Sequence, residues 1–211
     1  MTFWKCRRGA GFILVLALAG LSLQSCATLQ DLAGALMNIQ RLKFKLGAVH
    51  DFALLGIPLG AKTSLKDFSY VDGLRLFDGF RSKRLPAEFI LDILAVNPND
   101  GTGGSRQTVS TLTGLESRLL IDGTPTIIGN IDQPVEIPGT GQETVIAIRL
   151  GIDLYEFFGS KGYEEIIGLA LAIGGRGDAS RLSLDAQPRV TTPFGPITYP
   201  GRITIISAEF R

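Results

Sequence analysis

The chain has 211 residues, 45% of them hydrophobic and 19% charged, with 26 glycines and a formal net charge of +1. This is enough material for one well-filled core plus extra chain, and the charge lacks the basic footprint of a nucleic-acid binder. Its two cysteines, Cys6 and Cys26, lie near the start, which excludes a disulfide-stapled fold and a cysteine-ligated zinc site. Abundant glycine with modest charge favours a turn-rich β protein over a coiled coil or a disordered chain.

Residues 1–25 read as an export signal. Lys5, Arg7 and Arg8 precede an apolar stretch over residues 11–20, too short to span a bilayer comfortably, which takes about 20 residues. Removing those three cations takes the net charge from +1 to −2. Leu23-Gln24-Ser25-Cys26 resembles the lipobox of bacterial lipoproteins: an apolar residue, two tolerant positions, then cysteine. The resemblance implies diacylglycerol on the Cys26 sulfur, cleavage just before it, and acylation of the new amine. Several acyl chains anchor stably where one binds only marginally. The other reading is an ordinary signal peptide cut nearby, with an incidental cysteine; Cys26 standing where the apolar stretch ends favours the lipobox. Ala27 rather than Asp at the next position implies, by the enterobacterial sorting rule, the outer membrane.

Residues 26–40 form a second segment. Thr28 and Asp31 can cap a helix over residues 28–40, and Leu29, Leu32, Leu36 and Ile39 recur at spacings of 3, 4 and 3, one apolar stripe. The stripe suits a tether packed on the domain, or a helix lying on a membrane or a partner; the lack of basic residues within it favours the tether. Residues 41–211 then form the folded domain. Arg41, Lys43 and Lys45 alternate with Leu42, Phe44 and Leu46, a half-buried strand whose charges would protect a sheet edge. Residues 53–60 are apolar, broken by Gly56 and Pro58. The following stretch has the outline of a phosphate loop, but Gly56 and Gly60 are four apart and Ala61 separates Gly60 from Lys62, so the motif fails. Residues 72–80 predict a short helix capped by Asp72, with Leu74, Phe77 and Phe80 inward. Pro86 marks the entry to the next strand.

Residues 89–96, apolar but for Asp92, predict a central strand buried on both faces, and Asn97-Pro98-Asn99 ends it. Pro98 has no N–H for a ladder and pushes Asn97 out of helical geometry, while both asparagines can bond their own backbone. Gly101, Gly103 and Gly104 predict a loose loop. Leu115, Ser117, Leu119 and Ile121 alternate with Glu116, Arg118 and Leu120, and Asp122-Gly123 signals a hairpin. Short strands follow at residues 126–131, at 144–150 with Thr144, Ile146, Ile148 and Leu150 on one face, at 182–186, and at 203–206. Pro134, Pro138, Gly139 and Gly141 punctuate one connection. A helix from a Ser160 cap to Ile173, stopped by Gly174-Gly175, is apolar nearly all round and should plug an open end. Together these elements predict a mainly β fold: an antiparallel β-sandwich of the fibronectin-III/immunoglobulin kind with one or two short helices.

These residues resemble the group-2 late embryogenesis abundant proteins, which share the WHy (water stress and hypersensitive response) domain. The hallmark is a hydrophobic strand ending in Asn-Pro-Asn, matched by residues 89–99. A second block agrees: Leu120-Ile121-Asp122-Gly123, Ile128-Gly129, Ile137-Pro138 and Thr144-Val145-Ile146. A third is Pro193-Phe194-Gly195-Pro196-Ile197 followed by Pro200. The likeness covers roughly residues 85–207 and implies a fibronectin-III-like sandwich with a helix. It also implies a non-enzymatic role in desiccation and other stresses, no catalytic residues, and Asn97, Pro98 and Asn99 as a structural motif. Many members of the family are intracellular, whereas this chain carries the marks of an exported, lipid-anchored protein.

Candidate chemistry is sparse. His50 is the sole histidine and sits beside Asp51, but no Gly-x-Ser-x-Gly elbow supplies a nucleophile and no second histidine a typical zinc hydrolase site. Asp92 and Asp185 fall in strand patterns without the spacing of a glycosidase pair. Arg176-Gly177-Asp178 mimics an adhesion tripeptide, yet an exposed turn after two glycines accounts for it. The expectation is therefore a binding module without catalytic residues, cofactor, metal or nucleic-acid partner. It would be held by acylated Cys26 in a bacterial envelope, at the outer membrane, meeting a protein, lipid or polymer during osmotic or drying stress. The alternatives are an accessory subunit of an envelope transport or assembly complex docked through residues 28–40, and, more remotely, an envelope hydrolase built on His50.

Overall fold

The computed structural model describes residues 41–102, 107–177, 179–192 and 195–211. Outside them lie the expected export segment, Cys26, the helix expected over residues 28–40, Gly103, Gly104, Asp178, Pro193 and Phe194. From Arg41 onward the chain forms one compact unit. Two antiparallel sheets face each other. The first has the order β2-β1-β3-β7, from β1 (Lys43–Leu54), β2 (Ile57–Pro58), β3 (Pro86–Val96) and β7 (Glu143–Asp153). The second has the order β10-β8-β4-β5, from β4 (Ser110–Ile121), β5 (Thr124–Gly129), β8 (Leu182–Thr192) and β10 (Ile203–Ile206). Two short strands complete it: β6 (Val135–Ile137) pairs with the first part of β4, and β9 (Gly195–Thr198) with the last part of β8. The fold is thus the antiparallel β-sandwich that the strand pattern predicts.

The core follows from alternation. Phe89, Leu91 and Ile93 of β3 and Ile146, Ile148 and Leu150 of β7 are buried on one side; Leu115, Leu119 and Ile121 of β4 and Leu182, Leu184 and Ala186 of β8 on the other. Phe52 of β1 stacks on Phe89, ring centroids 5.1 Å apart. The expectation that β3 is buried on both faces is corrected. Its outward residues Ile90, Asp92, Leu94 and Val96 are only half-buried, because each sheet of an antiparallel sandwich has a single inner face. In register, Ile90 is flanked by His50 and Arg149, and Leu94 by Lys45 and Val145.

β1 changes phase twice. Its buried residues run Phe44, Leu46, Val49, Phe52 and Leu54, with spacings of 2, 3, 3 and 2. An odd step puts the next apolar residue on the wrong face unless an extra residue is accommodated. The pairing with β3 accordingly shifts between Leu46 and Val49 and again between His50 and Ala53. Asp51 takes a left-handed φ of 54° at the second bulge. Beyond the short β2 the free edge of β1 is also covered: Phe44 and Arg211 exchange backbone bonds of 2.6 and 2.9 Å, and the Val49 amide donates to Gly177.

The helices differ from expectation at their ends. Helix α1 spans Tyr70–Arg81 and is capped by Ser69, with Asp72 three residues on completing a capping box. Its inward residues are Leu76 and Gly79, not Leu74 and Phe77, which are exposed. A Cβ on Gly79 would lie 2.6 Å from Leu55 Cδ1 and 2.9 Å from the Arg84 carbonyl, so a glycine permits this close seat. A single-turn helix α2 (Leu154–Phe158), capped by Asp153, follows β7 directly. The next helix, α3, starts at Tyr163 after Gly162, not at a Ser160 cap, and ends at Gly174. It packs against β1, where a Gly174 Cβ would fall 2.5 Å from the Phe52 ring.

Candidate functional site

The strand end at Asn97-Pro98-Asn99 is a buried polar knot. Both asparagines are fully buried, so each amide must find partners inside the protein. Asn97 Oδ1 accepts from the Asn99 amide at 3.1 Å and from Asn99 Nδ2 at 2.8 Å, closing an Asx turn around Pro98. Asn97 Nδ2 points the other way, to the carbonyls of Thr108 at 2.8 Å and Ile137 at 3.0 Å, with Ser110 Oγ at 3.3 Å. One side chain thereby ties the end of β3 to the start of β4 and to β6. Backbone bonds repeat the tie: Thr108 N–H donates to Asn99, and Gly141 N–H to Asn97. Gly139 lies so close that a Cβ would meet the Asn99 and Thr108 carbonyl oxygens at 2.4 and 2.5 Å. Arg41 reaches Asn99 Oδ1 at 3.4 Å. With its polar atoms turned inward on backbone groups, the knot holds three connections at one end of the sandwich.

His50 is the other singled-out residue. The register brings it to Asp92 rather than mainly to its neighbour Asp51: Nε2 lies 3.0 Å from Asp92 Oδ1, and Nδ1 3.5 Å from Asp51 Oδ2. The hydrogen bond to Asp92, more than the smaller contribution of Asp51, raises the imidazole pKa above its ordinary 6.5. Asp92 is the lone polar residue of residues 89–96, and it faces outward opposite the first bulge of β1, its Cβ 3.1 Å from where a Gly47 Cβ would stand. The cluster sits on the solvent face of the first sheet, where the imidazole meets Asp92 and Asp51. Asp185, the other carboxylate singled out, accepts from Arg202 Nε at 2.8 Å on the second sheet, and Arg202 also reaches Glu116 at 3.2 Å. The three-dimensional arrangement thus keeps Asp92 and Asp185 in separate ion-pair clusters. Among the described residues no group of histidine, cysteine and carboxylate side chains has a metal-binding arrangement.

A groove of about 480 Å³ runs between the loop at Thr63–Leu65 and α3, lined also by Glu164, Arg176 and Arg181. Arg181 is already held by both carboxylate oxygens of Asp122 at the β4–β5 hairpin. At the mouth of this loop Asp67 accepts from the backbone amides of Thr63 and Ser64, both at 2.8 Å, which holds its carboxyl below the usual range. The apolar surface lies nearby in sequence. Of the eight large apolar side chains exposed among the described residues, five (Leu65, Tyr70, Val71, Leu74 and Phe77) fall within 13 residues, whereas Val109, Ile128 and Val145 stand apart in sequence.

Fold and site together define a small antiparallel β-sandwich with a buried asparagine knot at one end and no helix among the described residues long and apolar enough to cross a membrane. No protein-family model and no curated protein matches the chain. Among solved structures, a protein from Archaeoglobus fulgidus is similar at 11% identity, over 60% of this chain and 82% of that one, with a TM-score of 0.32; a likeness that weak carries no argument.

Proposed function

We propose that the chain is a non-enzymatic lipoprotein of the bacterial envelope whose sandwich works by surface binding during drying or osmotic stress, the stress role being the one its resemblance to the WHy proteins implies. In this reading residues 1–25 are removed, acylated Cys26 holds the protein at the outer membrane, and residues 28–40 tether the domain. The observation that carries it is the asparagine knot. The motif behind the family resemblance bonds the backbone of Thr108 just before β4, of Ile137 in β6 and of the connection into β7, which suits a scaffold better than a reaction centre. The exposed ion pairing of His50 with Asp92 and Asp51 fits the same reading of a surface cluster.

The test is survival of a deletion strain through desiccation and osmotic shock. The proposal expects lower survival than the parent, restored by the wild-type chain and not by Cys26→Ala. A deletion strain that survives as well as its parent, or full complementation by Cys26→Ala, would overturn it.

A further inference from the structure

We propose that the outer face of α1 is a second membrane contact, a shallow insertion surface for a bilayer with anionic headgroups. Tyr70, Leu74, Phe77 and Arg81 recur at i, i+4, i+7 and i+11 and so share one side of the helix. That side is largely open to solvent: Tyr70 is 82% exposed, Phe77 55% and Leu74 52%, with Val71 alongside at 62%. Soluble surfaces leave single apolar residues exposed without consequence, but a contiguous row on one helix marks a contact.

The helix is firmly seated, so the row is a fixed feature of the surface. Leu76 and Gly79 are buried beneath it. Phe80 meets Tyr155 and Tyr163 edge-on at 5.4 and 5.5 Å, and Phe77 meets Tyr163 at 6.2 Å. Tyr70, aromatic with a polar tip, suits the level of the headgroups, and Leu74 and Phe77 suit the acyl boundary below.

Charge selects the partner. Between residues 62 and 84 lie six cations (Lys62, Lys66, Arg75, Arg81, Lys83, Arg84) against three carboxylates (Asp67, Asp72, Asp78), a local net of +3 on a chain whose total is +1. Two of those carboxylates are engaged with backbone amides: Asp67 with Thr63 and Ser64, Asp72 with Ser69. Arg75, Arg81, Lys83 and Arg84 are all exposed. The stripe is bordered by Arg75, Arg81, Lys83 and Arg84 against one exposed acid, Asp78, a net-cationic border of the kind an interfacial helix shows on anionic lipid. The setting rests on the envelope reading above. Physically, α1 would fix the orientation of the domain at the surface, which attachment at a single point does not set.

The test uses the full chain carrying Cys6→Ser and Cys26→Ser, with one new thiol for a polarity-sensitive fluorophore, either Val71→Cys or, as control, Thr204→Cys. Cys26 is absent in both, so the result does not depend on acylation. The apolar segment near the start can hold either protein to any vesicle, so the label at 71 reports the contact of α1 itself. Phosphatidylglycerol vesicles should shift the emission at 71 to the blue and expose it to quenching by nitroxide lipids, with the label at 204 unchanged. Phosphatidylcholine vesicles should do so at least several-fold more weakly. Adding Arg75→Glu and Lys83→Glu should lower the response by an order of magnitude or more, on the order of fivefold for each cation removed. Water-like emission at 71 on phosphatidylglycerol, or an equal response on both lipids, would overturn the proposal. So would a blue shift without vesicles that grows with protein concentration, which would assign the stripe to a second copy of the chain.

Discussion

Asn97→Ala should be among the most damaging single changes in the sandwich. Its Nδ2 has two protons, enough for full bonds to the Thr108 and Ile137 carbonyls, and its Oδ1 accepts two more from Asn99. Alanine removes these four bonds and leaves their partners without them inside a fully buried site. At about 1 kcal/mol of net stability for each bond, the loss is about 4 kcal/mol, a large share of the roughly 5–15 kcal/mol that holds a domain together. Asn97→Asp sharpens the test. The aspartate keeps an acceptor for Asn99 but turns its second oxygen toward two carbonyl oxygens, which disfavours the charged form and raises its pKa in the fold. A group with a raised folded pKa gives its full stability below the unfolded value, about 3.9 for Asp, and loses it as pH rises through the folded value. This variant should therefore be more stable near pH 4 than near pH 7, relative to wild type at each pH. Urea denaturation followed by circular dichroism measures both variants. An alanine variant within about 1 kcal/mol of wild type, or an aspartate variant indifferent to acid, would refute the reasoning.

Gly139→Ala should cost about 1–3 kcal/mol, because its Cβ would meet two backbone oxygens that cannot swing aside, whereas Gly168→Ala, with nothing within 4 Å, should stabilise α3 by about 0.5–1 kcal/mol; thermal melts compare the two. His50 should titrate above 6.5 by NMR, and Asp92→Asn should bring it down toward that value. The stabilisation from this pair is complete below 6.5 and fades as pH rises through the raised folded value, so Asp92→Asn should flatten that part of the stability–pH curve; an unchanged curve would remove Asp92 as the cause. Thr108 Oγ1 is buried without a hydrogen-bond partner among the described residues, so Thr108→Val should leave stability equal or higher by about 1 kcal/mol, and a clear loss in denaturation would show that the hydroxyl is bonded.

Local rules made much of the sandwich readable before any coordinates. Alternation placed Leu115, Leu119 and Ile121 inward, and Asp122-Gly123 marked a hairpin whose two residues take φ of 49° and 77°. Pro86 and Pro98 bracket β3 as punctuation suggests. Distance defeated the rest. Nothing near Asn97 announces Thr108 or Ile137, and β6 is silent in the sequence because three residues between Pro134 and Pro138 carry almost no pattern. Apolar residues on β3 looked doubly buried because composition does not tell inner from outer when Ile90 and Leu94 face out among long neighbours. On α1 the inward side centres partly on Gly79, which has no side chain to register in a periodicity, so apolar spacing alone points Leu74 and Phe77 inward. For His50 the adjacent Asp51 was visible, but the better partner, Asp92, lies 42 residues away.

The claim beneath this account is that the sandwich is delivered to the envelope on an acylated Cys26. Mass spectrometry of the N-terminal peptide from the native membrane fraction tests it most directly. The account predicts a mature chain beginning at Cys26 with its sulfur and amine acylated, and no such species from Cys26→Ala. An unmodified cysteine, or a chain that begins elsewhere, would contradict it.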